Sequence, residues 1–173
     1  PAFAVTVFLS ATLMFLIEPM VAKMVLPRLG GSPAVWSTCL VFFQVMLLLG
    51  YAYAHGIVRL LSRRAQILVH VGLVLPLAAL ALPLDLGAGA PLPNDSPAVW
   101  LLIRLALAAG PPVFAISATA PLLQSWFARA RPGVSPYRLY ALSNTGSLLA
   151  LLGYPFLVEP WVPRSVQAAL ATL

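Results

Sequence analysis

Five long apolar runs, divided by connections that alternate between basic and acidic, leave this chain few ways to fold. The runs cover about residues 2–26, 32–58, 65–84, 98–128 and 139–158. A membrane-spanning helix needs roughly 20 residues. The first, second and fourth runs exceed that length, so tilt, kinks or protruding ends are expected. A sixth run opens after Pro163 but reaches only Leu173, too short to span. Hydrocarbon offers no partner to backbone N–H and C=O groups, so runs of this length read as helices. The expected fold is all-α: a polytopic transmembrane helix bundle of five spanning helices plus the start of a sixth, forming one domain over residues 1–173.

Composition agrees. The chain is 61% hydrophobic and only 8% charged, against about 25% charged in a soluble domain. Its net charge of +6 does not read as a nucleic-acid surface. The basic residues sit mostly at the ends of apolar runs, without interleaved aromatics or a binding module. The single cysteine, Cys39, lies inside an apolar run and allows no internal disulfide. The chain begins at Pro1 rather than Met, which implies that its true N-terminus is missing. It reads as a fragment, or as a subunit lacking any soluble domain.

The connections give an orientation. Arg59, Arg63 and Arg64 follow the second run, and Arg129, Arg131 and Arg138 follow the fourth, in both cases without an acid. The connection after the third run carries Asp85 and Asp95 and no Lys or Arg. The positive-inside rule then places the N-terminus and the Arg-rich loops in the cytoplasm. The expected location is a bacterial inner membrane, with the lipid bilayer as the first partner. Lys23 and Arg28 fall on the other side, where they are expected to snorkel to the interface.

Two short patterns recur. Ser32–Trp36 and Ser96–Trp100 are the same pentapeptide, Ser-Pro-Ala-Val-Trp. Each reads as a helix start, with Ser as N-cap and Pro at the first helical position. Phe15–Pro19 (FLIEP) is echoed by Phe156–Pro160 (FLVEP). Internal duplication and convergence on good interfacial helix signals both explain the echoes.

Polar residues inside apolar runs are the candidate sites. Glu18 lies roughly 24 Å along the first helix at about 1.5 Å per residue. A carboxylate at that depth needs a partner or a proton, and Pro19 is expected to kink the helix there. Arg104 in the fourth helix is the expected partner, giving an intramembrane ion pair Glu18–Arg104. Lys23 competes for it, and a proton or cation site at Glu18 is the functional alternative. In the other half of the bilayer, Gln44, His70, Gln124 and Asn144, with Thr145 and Ser147, form an expected polar cluster. Packing by interhelical hydrogen bonds is its first reading, a polar pocket its second. Gly110-Pro111-Pro112 and Pro121 are expected to break or kink the fourth helix, as in transporter sites or simple kinks. His55 and His70 flank one connection; each reads as a hydrogen-bonded interface residue, with a bis-His haem as the alternative. No catalytic, metal or cofactor-binding residue is expected, and no cofactor.

Longer blocks carry a family resemblance. Gly30-Gly31-Ser32-Pro33-Ala34-Val35-Trp36, with Thr38-Cys39, Phe42-Phe43-Gln44 and Gly50–His55, resembles the membrane region of bacterial spermidine-synthase-like proteins, often called fused major-facilitator/spermidine synthase. So do Ser117–Phe127, and Tyr137–Leu151 running on to Tyr154–Pro160. The resemblance covers most of the chain and is weakest over residues 60–100. It implies a bundle that precedes further helices or a cytoplasmic aminopropyltransferase-like fold binding decarboxylated S-adenosylmethionine. The glycine-rich loop and acidic polyamine-binding residues of that fold do not occur here, so no catalytic role is carried over.

Three functions follow. The first is a non-catalytic integral membrane module: an accessory subunit packed against other integral membrane subunits, respiratory or photosynthetic, or a membrane anchor. The aromatic-rich second helix and the small residues Ala106, Ala109 and Gly110 suit such contacts. The second is a transporter-like bundle using Glu18, Arg104 and the broken fourth helix. The third is the membrane part of a polyamine aminopropyltransferase.

Overall fold

The computed structural model describes residues 2–80, 86–87, 89–92, 94–135 and 137–163. All regular structure among them is helical. In chain order the helices are α1 (Ala2–Leu29), α2 (Pro33–Leu60), α3 (Arg63–Leu80), α4 (Pro97–Ala108), α5 (Gly110–Ala130) and α6 (Tyr137–Gly153), and α6 passes into a π-helical turn, Tyr154–Val158.

Local chemistry accounts for the ends. Gly30, at φ +72°, donates its N–H to the carbonyl of Leu26 at 2.8 Å and closes α1. This left-handed cap suits glycine, which has no Cβ to clash. Ser32 caps α2 by accepting from Val35 N at 3.4 Å, and Pro33 fills the first position, where no N–H is needed. Ser62 caps α3, accepting from Ala65 N at 3.4 Å.

Helix directions alternate. Gly146 of α6 lies beside Phe8 and Thr12, and Glu159 beyond it pairs with Lys23, so α1 and α6 run the same way. Gly50 of α2 lies beside Ser117 of α5, and the carbonyl of Val58 beside Arg129, so α2 and α5 also run together. The His70–Thr119 and Gln66–Trp126 contacts make α3 antiparallel to α5. The main core fills the space between α1, α2, α4 and α5 with Met14, Ile17, Val21, Phe42, Phe43, Leu101, Leu105 and Val113, joined by Leu86.

The expected span count needs correction. Among the described residues three helices are long and apolar enough to cross a membrane: Ala2–Leu29, Pro33–Leu60 and Tyr137–Val158. Pro97–Ala108 and Gly110–Ala130 make a fourth if counted as one span, but they meet at an angle of 65°. Five spans are not found among the described residues. At the break, Pro111 and Pro112 lack the N–H groups that would bond back across Ala109, and their rings crowd the preceding turn. The expected third span, 65–84, is a helix over Arg63–Leu80 that opens on two arginines and holds Gln66, His70 and Pro76; residues 81–85 lie outside the described residues. So do 164–173, where the sixth was expected.

Prolines differ in effect. Pro121 lies inside α5, and Pro19 and Pro27 lie inside α1, without ending either helix. The Pro111-Pro112 pair, by contrast, coincides with the 65° bend between α4 and α5.

Candidate functional site

The densest set of buried polar side chains lies where α2, α3 and α5 meet. α3 contributes Gln66, fully buried, and His70, 6% exposed. They are four residues apart and so share one helix face. α5 contributes Thr119 and Trp126, seven apart, again on one face.

Gln66 uses both ends of its amide. Its Nε2 donates to the carbonyl of Leu61 at 2.7 Å, and its Oε1 accepts from Trp126 Nε1 at 2.8 Å. Arg129 Nη2 donates to the carbonyl of Val58 at 3.2 Å. The last carbonyls of a helix have no partners within it. Here α3 and α5 supply donors to the end of α2, and the Arg129 charge suits that negative pole.

One turn deeper, the Thr119 hydroxyl donates to Ala115 O at 2.8 Å. Its oxygen is then the acceptor for His70 Nε2, 3.2 Å away. That network assigns the Nε2–H tautomer. His70 Nδ1 and the Tyr53 hydroxyl are buried and make no hydrogen bond. The Tyr53 ring centre lies 6.2 Å from His70, and that of Trp126 6.4 Å from it. Nearer mid-helix, Ser117 Oγ lies 3.2 Å from the carbonyl of Met46 and 2.8 Å from that of Phe114. The whole arrangement donates, accepts and packs. Among the described residues no three His, Cys, Asp or Glu groups come together as a metal site.

Of the four residues expected to cluster, the structure brings only His70 into this site. Gln44 and Asn144 are exposed on α2 and α6, and Gln124 is half-buried on α5. The reason is helical phase. α2 buries Val35, Cys39, Phe42, Phe43, Gly50, Ala54 and Ile57, which leaves Gln44 on the opposite side. α6 buries Leu139, Gly146 and Ala150, which leaves Asn144 outside. Thr145 and Ser147 each return their hydroxyl to α6, on Ala141 O and Ser143 O. His55 is exposed while His70 is buried. Gln66, Trp126, Thr119 and Tyr53 were not anticipated; the spacings of four and seven residues were the signal available.

The Glu18–Arg104 ion pair is also corrected. Glu18 is half-buried on α1 and makes no ion pair with Arg104. α4 packs mainly on α2 and α5, not on α1. Arg104 instead lies over the Trp100 ring, 5.3 Å from its centre, and beside Gly87. The ion pair that does form among the described residues joins Lys23 to Glu159. Lys23 also lies 5.7 Å from the centre of the Tyr154 ring. The π-helical turn helps: Glu159 N–H bonds to Tyr154 O at 2.8 Å, five residues back, a wider turn that shifts the residues after it around the axis.

Of the small residues expected to face a partner, Ala109 and Gly110 are buried within the bundle and Ala106 is exposed.

Comparison with known protein families, curated proteins and solved structures finds no match to this chain.

Proposed function

We propose that this chain is a non-catalytic integral membrane module, an accessory subunit packed against other membrane proteins or the anchor of a spermidine-synthase-like protein. One observation supports the reading most. The shallow groove at mid-helix between α1, α2, α5 and α6, lined by Ser10, Met14, Tyr51, Ser117 and Ser147, has a volume of about 30 Å³. That is room for about two waters. A solute path along that groove would need far more room. Gln66, Trp126, His70 and Thr119 of α3 and α5 bond to one another and to backbone carbonyls, which is structural work. The Arg-rich ends of α2 and α5 suit the cytoplasmic face of a bacterial inner membrane.

A transporter-like reading draws on the 65° break between α4 and α5, because broken helices line transport sites. Purification from native membranes in mild detergent, with intact-mass analysis, separates the alternatives. The accessory reading expects the chain in fixed stoichiometry with other integral subunits. A chain recovered as part of a much longer polypeptide with aminopropyltransferase activity would favour the enzyme reading. Solute flux by the isolated chain in vesicles would overturn the accessory reading in favour of transport.

A further inference from the structure

The outward side of α2 carries a pattern that the bundle leaves largely open, with Tyr51 at its edge also bordering the groove toward α1, α5 and α6. Ser37, Val41, Gln44, Leu48, Tyr51 and His55 are all exposed. Their spacing is four, three, four, three, four, the repeat of a helix–helix seam. They lie opposite the buried stripe of Val35, Cys39, Phe42, Gly50, Ala54 and Ile57. Val41 is 57%, Leu48 68% and Tyr51 53% exposed. Such exposure by itself suits lipid.

Gln44 does not suit lipid. It stands near the middle of a 28-residue helix apolar enough to cross a membrane, and its primary amide holds two donors and an acceptor. Hydrocarbon satisfies none of them, and unpaired polar groups there are costly. Ser37 and Tyr51 fall seven residues to either side, so one edge of the seam carries a hydrogen-bonding side chain at every heptad.

We propose that α2 is a self-association seam on which a second copy of this chain docks in parallel, with Gln44 against Gln44 at its centre. Two copies inserted the same way have their α2 helices parallel, related by an axis along the membrane normal. Parallel packing faces each position of one edge with its own counterpart at the same depth. Hydroxyl and primary amide groups both donate and accept, so Ser37, Gln44 and Tyr51 are each complementary to themselves. A second copy therefore meets all three positions at once, whereas an unrelated helix would need three matching polar groups at the same spacing. The proposal rests on the chain lying in a bilayer, not on which larger assembly it joins.

Cysteine scanning of the full chain in membranes tests this, with the unsubstituted chain as the blank because Cys39 is buried. Ser37→Cys and Tyr51→Cys, which keep Gln44, are expected to form disulfide-linked dimers on mild oxidation. Leu40→Cys and Leu49→Cys, off the seam, are expected to form about fivefold less, since a disulfide needs close and well-aligned Cβ atoms. Subunit counting in dilute lipid vesicles supplies the second readout. Gln44→Leu is expected to weaken the dimer about tenfold, and Gln44→Asn to weaken it less. Equal cross-linking at all four positions would overturn the proposal, as would a Gln44→Leu dimer of unchanged affinity. A different polypeptide cross-linked stoichiometrically at Ser37→Cys would assign the seam to another subunit and overturn the second copy. If Gln44→Leu fails to fold, the pattern at residues 37, 40, 49 and 51 decides alone.

Discussion

The contacts of α5 with α2 and with α3 hold the same helix in two different ways. Against α2, contact is close: a Cβ built on Gly50 would stand 2.9 Å from Ser117 Cβ and 3.0 Å from the Ala118 backbone nitrogen. Against α3, side chains bridge the gap, through Gln66–Trp126 and His70–Thr119. The α1–α6 contact resembles the first kind, with Gly146 facing the Phe8 carbonyl. Lipid is as apolar as leucine, so helices in it associate by close packing and by hydrogen bonds rather than by hydrophobic burial. A glycine contact depends on the absence of an atom, and a bridged contact depends on a partner. They should therefore fail differently.

The largest effect is expected at Gly50. Gly50→Leu should force α2 from α5 and destabilise the bundle by about 3 kcal/mol or more, read as loss of folded fraction in a detergent unfolding titration. Gly50→Ala should cost about 1–3 kcal/mol, and adding Ser117→Gly should recover part of that by removing the nearest atoms. No recovery would mean that the Ala118 backbone, not the Ser117 side chain, sets the spacing. Gly146→Val is expected to be nearly as damaging, since the atom it meets first is the backbone oxygen of Phe8 at 2.8 Å, which no rotamer can clear.

The bridged interface should yield less. Gln66→Leu, which leaves the Trp126 indole N–H and the Leu61 carbonyl unpaired, is expected to cost about 1–3 kcal/mol. A double-mutant cycle with Trp126→Phe should return a coupling of about 0.6–2 kcal/mol; a coupling near zero would make the bond incidental to stability. Paired removal of His70 and Thr119 should couple at the low end of that range in the same detergent unfolding titration.

The smallest effect belongs to Lys23–Glu159. Glu159 is 43% exposed and Lys23 27%, so Glu159→Gln should change stability by about 0–1 kcal/mol and less as salt rises. A larger, salt-independent loss would place this pair among the structural contacts.

Near-identical segments show where local reading ends. The two Ser-Pro-Ala-Val-Trp pentapeptides start α2 and α4 as expected. Yet Ser32 caps its helix through its side chain, whereas Ser96 does not. Phe15–Pro19 lies within a continuous α-helix, while Phe156–Pro160 passes through a π-helical turn that brings its Glu159 to Lys23. One glutamate found a cation and the other did not, although the surrounding letters are almost the same. His70 was legible as an interior polar residue because an imidazole in an apolar run needs a partner. Gln44 met the same criterion and turned outward.

The sequence by itself determined the helical class, the alternation of direction, the helix starts at Pro33 and Pro97 and the break before Pro111-Pro112. These follow from run length, caps and missing N–H groups, which act within a few residues. Only the tertiary structure decided which face of each helix turns inward. In a soluble helix the polar face marks the outside. In this chain apolar residues lie on both sides of most helices, so pattern alone carries little inward signal; the close approach at Gly50 turns α2 so that Gln44 points outward, the Trp126 and Leu61 hydrogen bonds hold Gln66 inward, and the packing of α4 on α2 and α5 keeps Arg104 away from Glu18.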